Sequence, residues 1–84
     1  MSNFSPPSMP PPPFTPVYCP ILEPLSKNFM ENQINRYVYI WLDNKMSFWF
    51  YCIDIKNHIV FGYAWVDEKL VYVYFDIGRI NNIY

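Results

Sequence analysis

From Arg36 to Tyr84 the chain runs as apolar stretches separated by short polar breaks. "RYVYIWL" (36–42) stops at "DNK", "MSFWFYCIDI" (46–55) at "KNH", "IVFGYAWV" (59–66) at "DEK", and "LVYVYFDI" (70–77) at Gly78. Runs of this length, rich in β-branched and aromatic residues and bounded by turn formers, predict four strands joined by tight turns. The remaining "RINNIY" leaves room for a one-turn helix or a short fifth strand.

Only the fourth strand alternates cleanly. Val71, Val73, Phe75 and Ile77 fall on one side and are expected in the core; Tyr72, Tyr74 and Asp76 fall on the other. In the third strand Val60, Gly62, Ala64 and Val66 share one face, while Ile59, Phe61, Tyr63 and Trp65 share the other. A glycine inside a strand marks a bend or bulge, which a tight barrel needs at its corners. The pattern therefore predicts a mainly β fold, a small antiparallel SH3-like or Sm-like barrel of four to five strands occupying residues 36–84.

Upstream the pattern changes. All nine prolines lie between Pro6 and Pro24, so residues 1–24 read as a proline-rich arm, extended or disordered. "PPPPF" (10–14) favours polyproline II, because each proline fixes φ and restricts its predecessor. The arm is expected to be a semi-rigid tether. Its PxxP spacings (Pro7–Pro10, Pro10–Pro13, Pro13–Pro16) also suit a ligand for an aromatic-lined groove. Residues 25–35 form a short helix or linker. Within them "SKNFMENQI" (26–34) can be capped by Ser26 and would place Phe29, Met30 and Ile34 on one side, as a lid over an open end of the strands.

Fourteen of the eighteen aromatic residues lie in the strand region. A domain this small buries only about 60% of its surface, so some of those rings must face outward. The residues expected to form that surface are Tyr39, Trp49, Tyr63, Trp65, Tyr72 and Tyr74. Charge decides what such a surface suits. The net charge is −1, and Arg36, Lys45, Lys56, Lys69 and Arg79 are matched by Asp43, Asp54, Asp67, Glu68 and Asp76. Nucleic acids and anionic membranes reward uncompensated Lys and Arg, which this chain lacks. Tyr and Trp are also the residues of protein interfaces. The expected function is a non-enzymatic interaction or structural module, associating with itself or with a protein partner. A single-stranded RNA-binding module is the alternative, since aromatic platforms stack bases.

Catalysis and metal binding find no pattern. His58, the only histidine, sits in a polar turn; a pair with Cys52 would need an orienting acid. Cys19, Cys52 and His58 lack zinc-ligand spacing, the carboxylates are scattered, and no glycine-rich phosphate loop exists. No cofactor is expected. No run of 18 apolar residues is present, and the first residues carry neither a basic nor an apolar leader segment. A cytoplasmic address with free thiols at Cys19 and Cys52 is the expectation, a bridge between them being the less favoured pairing.

Two resemblances attach to particular segments. "VYIWLDNKMSFWFYCI" followed by "LVYVYFDIGRINNIY" is loosely similar to the Sm-like barrel pattern of strand, Asn-containing turn, strand and a late strand. That family forms rings that bind RNA. Here Lys45 stands where a glycine usually follows the Asn, and the basic RNA-contacting motif is absent. The pieces "FWFYCI" (48–53), "VFGYAW" (60–65) and "YFDIGRINNIY" (74–84) resemble uncharacterised small proteins of spore-forming bacteria, with Pro/Tyr-rich arms before a compact β domain. That resemblance implies no activity, only an association with spores or the cell surface.

Overall fold

The computed structural model describes residues 6–18 and 27–84. Ser26 as a helix cap, Cys19 and the remainder of the arm lie outside the described residues. The chain forms a short helix α1 (Lys27–Glu31), then β1 (Tyr37–Leu42), β2 (Ser47–Lys56), β3 (Ile59–Val66), β4 (Lys69–Asp76), one 3₁₀ turn (Ile77–Arg79) and β5 (Ile80–Ile83). All strand pairs are antiparallel, in one sheet of order β4-β3-β2-β1-β5. The stretch after Gly78 thus continues as a strand that returns to pair with β1. Among the described residues β4 and β5 do not pair with each other, so the sheet is open, with two free edges.

The core lies on one face. Val38, Ile40 and Leu42 of β1, Phe50, Cys52 and Ile55 of β2, Val60 of β3, Phe75 of β4, and Ile77 and Ile80 bury their side chains together. Met30 of α1 inserts fully among them and Ile34 packs alongside, as a lid requires, but Phe29 stays exposed. A five-residue helix turns its Met30 side inward, and the neighbouring position faces solvent. The turn after α1 enters β1 through Asn35 (φ 66°), whose N–H donates to the Cys52 carbonyl at 2.7 Å.

Size complementarity across β3 organises this core. Opposite Cys52 stands Gly62, and a Cβ there would collide with the Tyr51 carbonyl oxygen and come 2.8 Å from Phe50 Cζ. The bare backbone lets the Phe50 ring lie across β3 and meet Phe75 of β4, with centroids 5.1 Å apart. One residue further, β2 bulges at Ile53: Cys52 pairs with Gly62 and Asp54 with Phe61. A second shift sets Trp41 against Asn82 and Leu42 against Ile80. Bulges bend a sheet and increase its twist, and these two curl the core face inward.

At the far end of β4 the expected core position Val71 is 44% exposed. It pairs with small Ala64 on an edge strand. Val73 is partly buried, and Phe75 and Ile77 are in the core, so burial on this strand grows toward its C-terminal end.

The turns are locally specified. Val66 pairs with Lys69 across Asp67 (φ 51°) and Glu68 (φ 63°), a two-residue turn of type I′. Lys45 occupies the left-handed region (φ 72°), where glycine is favoured. The 3₁₀ turn ties two hairpin tips together. Asp76 Oδ1 accepts from the Gly78 N–H at 2.7 Å and lies 2.9 Å from His58 Nδ1, while the Ile77 N–H donates to the His58 carbonyl. On the other side Arg79 Nε donates to Asp43 Oδ1 at 3.2 Å, and the Asp43 N–H to the Arg79 carbonyl.

Candidate interaction face

The outer face of the sheet carries two cross-strand rows of rings. Strand pairing aligns Tyr37, Tyr51, Tyr63 and Tyr72 in one row, and Tyr39, Trp49, Trp65 and Leu70 in the next. Tyr84 extends the second row, since its backbone exchanges both hydrogen bonds with Tyr39. Neighbours along a row meet edge-on: Tyr37 and Tyr51 at 5.2 Å, Tyr39 and Trp49 at 5.3 Å, Tyr63 and Tyr72 at 5.6 Å. Ring edges against ring faces satisfy the aromatic quadrupoles, so each pair adds about 0.5–1.5 kcal/mol beyond its burial. Rings on both faces thus have distinct duties: the inner set forms the core, and the outer set forms a platform.

The proline-rich arm lies on that platform. Tyr37 Oη donates to the Met9 carbonyl at 2.7 Å, and Trp49 Nε1 to the Phe14 carbonyl at 2.9 Å. Phe14 packs edge-on against Trp49 (5.6 Å) and Tyr84 (6.0 Å), and Tyr18 against Trp41 (5.5 Å). Pro11 and Pro16 are buried. From Met9 to Tyr18 a polyproline II segment spans about 28 Å, whereas β1 from Tyr37 to Trp41 spans about 13 Å. The arm therefore bows, and it bends at Ser8–Met9 and at Pro13–Phe14. The bow roofs an open cleft of about 670 Å³ lined by Pro10–Thr15, Trp49, Trp65 and Glu68. A second cleft of about 240 Å³ lies between Pro7–Pro10 and Asn35, Tyr37 and Tyr51. Burial, and then the neighbouring Tyr51, push the Tyr37 phenol above its ordinary pKa, so it stays a donor at neutral pH.

The six expected surface residues divide accordingly. Tyr39 and Trp49, each 8% exposed, are covered; Tyr39 Oη also lies 3.1 Å from Ser47 Oγ. Trp65 and Tyr63 are partly buried at the margin of the arm-covered region. Tyr72 and Tyr74 are open, at 53% and 66% exposure. Phe61 joins this open half, with its ring 5.9 Å from Tyr74, and a hollow of about 140 Å³ lies between Ile53, Asp54, Lys56, Phe61 and Tyr72. Sequence reasoning did not place Phe14, Tyr18, Pro11 and Pro16 on this face. Their signals were the PxxP spacing, which suits an aromatic-lined groove although a tether was the preferred expectation, and Phe14 and Tyr18 as the aromatic interruptions of the tract between Pro6 and Pro20.

The polar candidates stand apart from the platform. Cys52 is fully buried on the core face, and burial pushes its thiol up to about 11, the nearby Asp54 backbone only partly opposing this. His58 is engaged with Asp76, whose carboxyl is held below the ordinary carboxylate range by His58 and the Gly78 N–H. Among the described residues no group of three His, Cys, Asp or Glu is placed to hold a metal ion. Nor is any helix among them long and apolar enough to cross a membrane. Comparison with protein-family models, curated proteins and solved structures finds no match to this chain.

Proposed function

We propose that this chain is a non-enzymatic interaction module that associates through the open half of its outer aromatic face. The observation that carries this reading is the cluster of Phe61, Tyr63, Tyr72 and Tyr74. It is contiguous, half-exposed and close to charge balance, with Asp54 and Lys56 at its rim. Tyrosine suits such a role because the ring buries area while its hydroxyl remains wet or finds a partner. The favoured occupant is a second copy of the chain, with a foreign protein surface next. The meander closed by β5 onto β1 also supports reading the fold as an open member of the SH3-like and Sm-like small-barrel class.

The test is the solution mass of the full chain by light scattering, beside Tyr72→Ser/Tyr74→Ser. Interface tyrosines each contribute on the order of 1–2 kcal/mol or more. The double variant should therefore weaken the assembly by a hundredfold or more, with an unchanged circular dichroism spectrum. A wild-type chain that stays monomeric at millimolar concentration would end the self-association reading. Saturable, salt-sensitive binding of single-stranded RNA would favour the alternative instead.

A further inference from the structure

The other half of the face is already occupied, and the manner of its occupation is informative. Tyr37 and Trp49 donate to the carbonyls of Met9 and Phe14, five residues apart, and the buried prolines, Pro11 and Pro16, are also five apart. Both hydrogen bonds read main-chain oxygens. Polyproline II leaves its carbonyls unpaired, and proline has no N–H to compete for them. Flat rings beside fixed donors make a receptor for a proline-rich segment, and a segment stiffened by its prolines loses little entropy on docking. Trp65 and Tyr51 line the two clefts and are only partly buried. The receptor is therefore wider than the segment filling it.

We propose that the groove formed by Tyr37, Tyr39, Trp41, Trp49, Trp65 and Tyr84 is a polyproline-binding site, that residues 9–18 are its resident ligand, and that the arm of a second copy exchanges into it. The chain supplies the argument for that occupant, since every copy carries the sequence that the groove is seen to hold. The resident arm is tethered through the segment between Tyr18 and Lys27, so it competes at an effective concentration in the millimolar range. A free chain is thereby self-capped, and exchange begins when the arm is displaced or the chain is concentrated. This site is separate from the Tyr72–Tyr74 half and does not depend on it.

The experiment titrates full-length protein into a fluorophore-labelled synthetic peptide of residues 6–18 and follows the peptide's anisotropy, which reports binding to every variant alike. The wild-type chain is compared with Pro11→Ser/Phe14→Ala/Pro16→Ser, which weakens the resident arm and leaves the groove intact. Release of the tethered competitor should raise peptide affinity about tenfold or more in that variant. Adding Trp49→Phe to it removes one donor and should lower affinity about fivefold. In a separate titration, unlabelled full-length Trp49→Phe, whose arm is intact, should move the Trp49 indole N–H resonance of the isotope-labelled arm-weakened variant toward its peptide-bound position. Tyr72→Ser/Tyr74→Ser should leave peptide affinity unchanged, which separates this site from the association face. Absence of saturable binding to the arm-weakened variant overturns the proposal. Equal affinity for wild type, or equal binding of a peptide with serine at every proline, overturns it also. Peptide binding without a response to the intact second chain removes arm exchange.

Discussion

Replacing Gly62 by alanine tests the packing argument most severely. The added methyl would collide with the Tyr51 carbonyl oxygen, which is backbone, and would stand 2.8 Å and 3.0 Å from Phe50 Cζ and Cε1. The ring can tilt, but only by loosening its contact with Phe75 at 5.1 Å. The carbonyl can move only with β2, at the cost of ladder geometry beside the Ile53 bulge. Overpacking costs about 1–3 kcal/mol, and one weakened backbone hydrogen bond adds about 1 kcal/mol, giving roughly 2–4 kcal/mol. A chain of 84 residues has a total stability of roughly 4–13 kcal/mol, so the change is severe. At about 4–8 °C per kcal/mol for a domain of this size, the melting temperature should fall by about 8–32 °C. Thermal and urea denaturation followed by circular dichroism would measure it. Shortening the ring in Phe50→Leu/Gly62→Ala should make the pair less damaging than the sum of the single changes. A Gly62→Ala protein within about 0.5 kcal/mol of wild type, the level of an ordinary surface change, would refute the account.

Three further outcomes are expected. Lys45→Gly relieves a non-glycine residue at φ 72° and should raise the urea midpoint, by up to about 1 kcal/mol in stability; an unchanged or lower midpoint would count against strain there. Because Asp76 is held below its ordinary pKa by His58 and the Gly78 N–H, the stability it contributes is present above the unfolded carboxylate range and is lost as pH falls through the folded value. Asp76→Asn should therefore flatten the acid limb of a stability–pH curve as pH falls below the ordinary carboxylate range, and identical limbs would exclude the pair as a contributor. The Cys52 thiol, raised from 9.0 to about 11, should have about a hundredfold less thiolate at pH 8 than an unperturbed thiol. Alkylation mapped by peptide mass should reach Cys52 only as the protein unfolds; rapid labelling of the native state would contradict its burial.

Much of the strand order could be read from the sequence because turn residues punctuate it. The third strand was expected at 59–66 and occupies those residues; the first starts one residue later than expected, and the second and fourth are displaced by one residue at both ends. Alternation placed Phe75 and Ile77 correctly but misplaced Val71, since periodicity assigns a face without telling where along an edge strand the core runs out. The fate of "RINNIY" was open because six residues can close either a turn or a ladder, and their partner in β1 is some forty positions away. The arm was least legible. Its contacts, Met9 to Tyr37 and Phe14 to Trp49, join residues 28 and 35 positions apart. A proline tract also has neither the helical nor the strand period that would reveal a buried side. Which of the six surface rings were open followed from that docking, so the candidate face was legible in composition but not in its division.

Strands with rings on both faces change how misfolding is guarded against. In most half-buried sheets a slip of one residue carries polar groups inward, and their desolvation forbids it. Here a slip between β2 and β3 would exchange one apolar set for another, and solvation would object little. Volume objects instead. Phe61, Tyr63 or Trp65 would arrive where Gly62 and Ala64 now leave room for Phe50. The sequence thus guards its alignment through side-chain bulk, concentrated in two small residues of one strand, with the turns and the Ile53 bulge as the remaining markers.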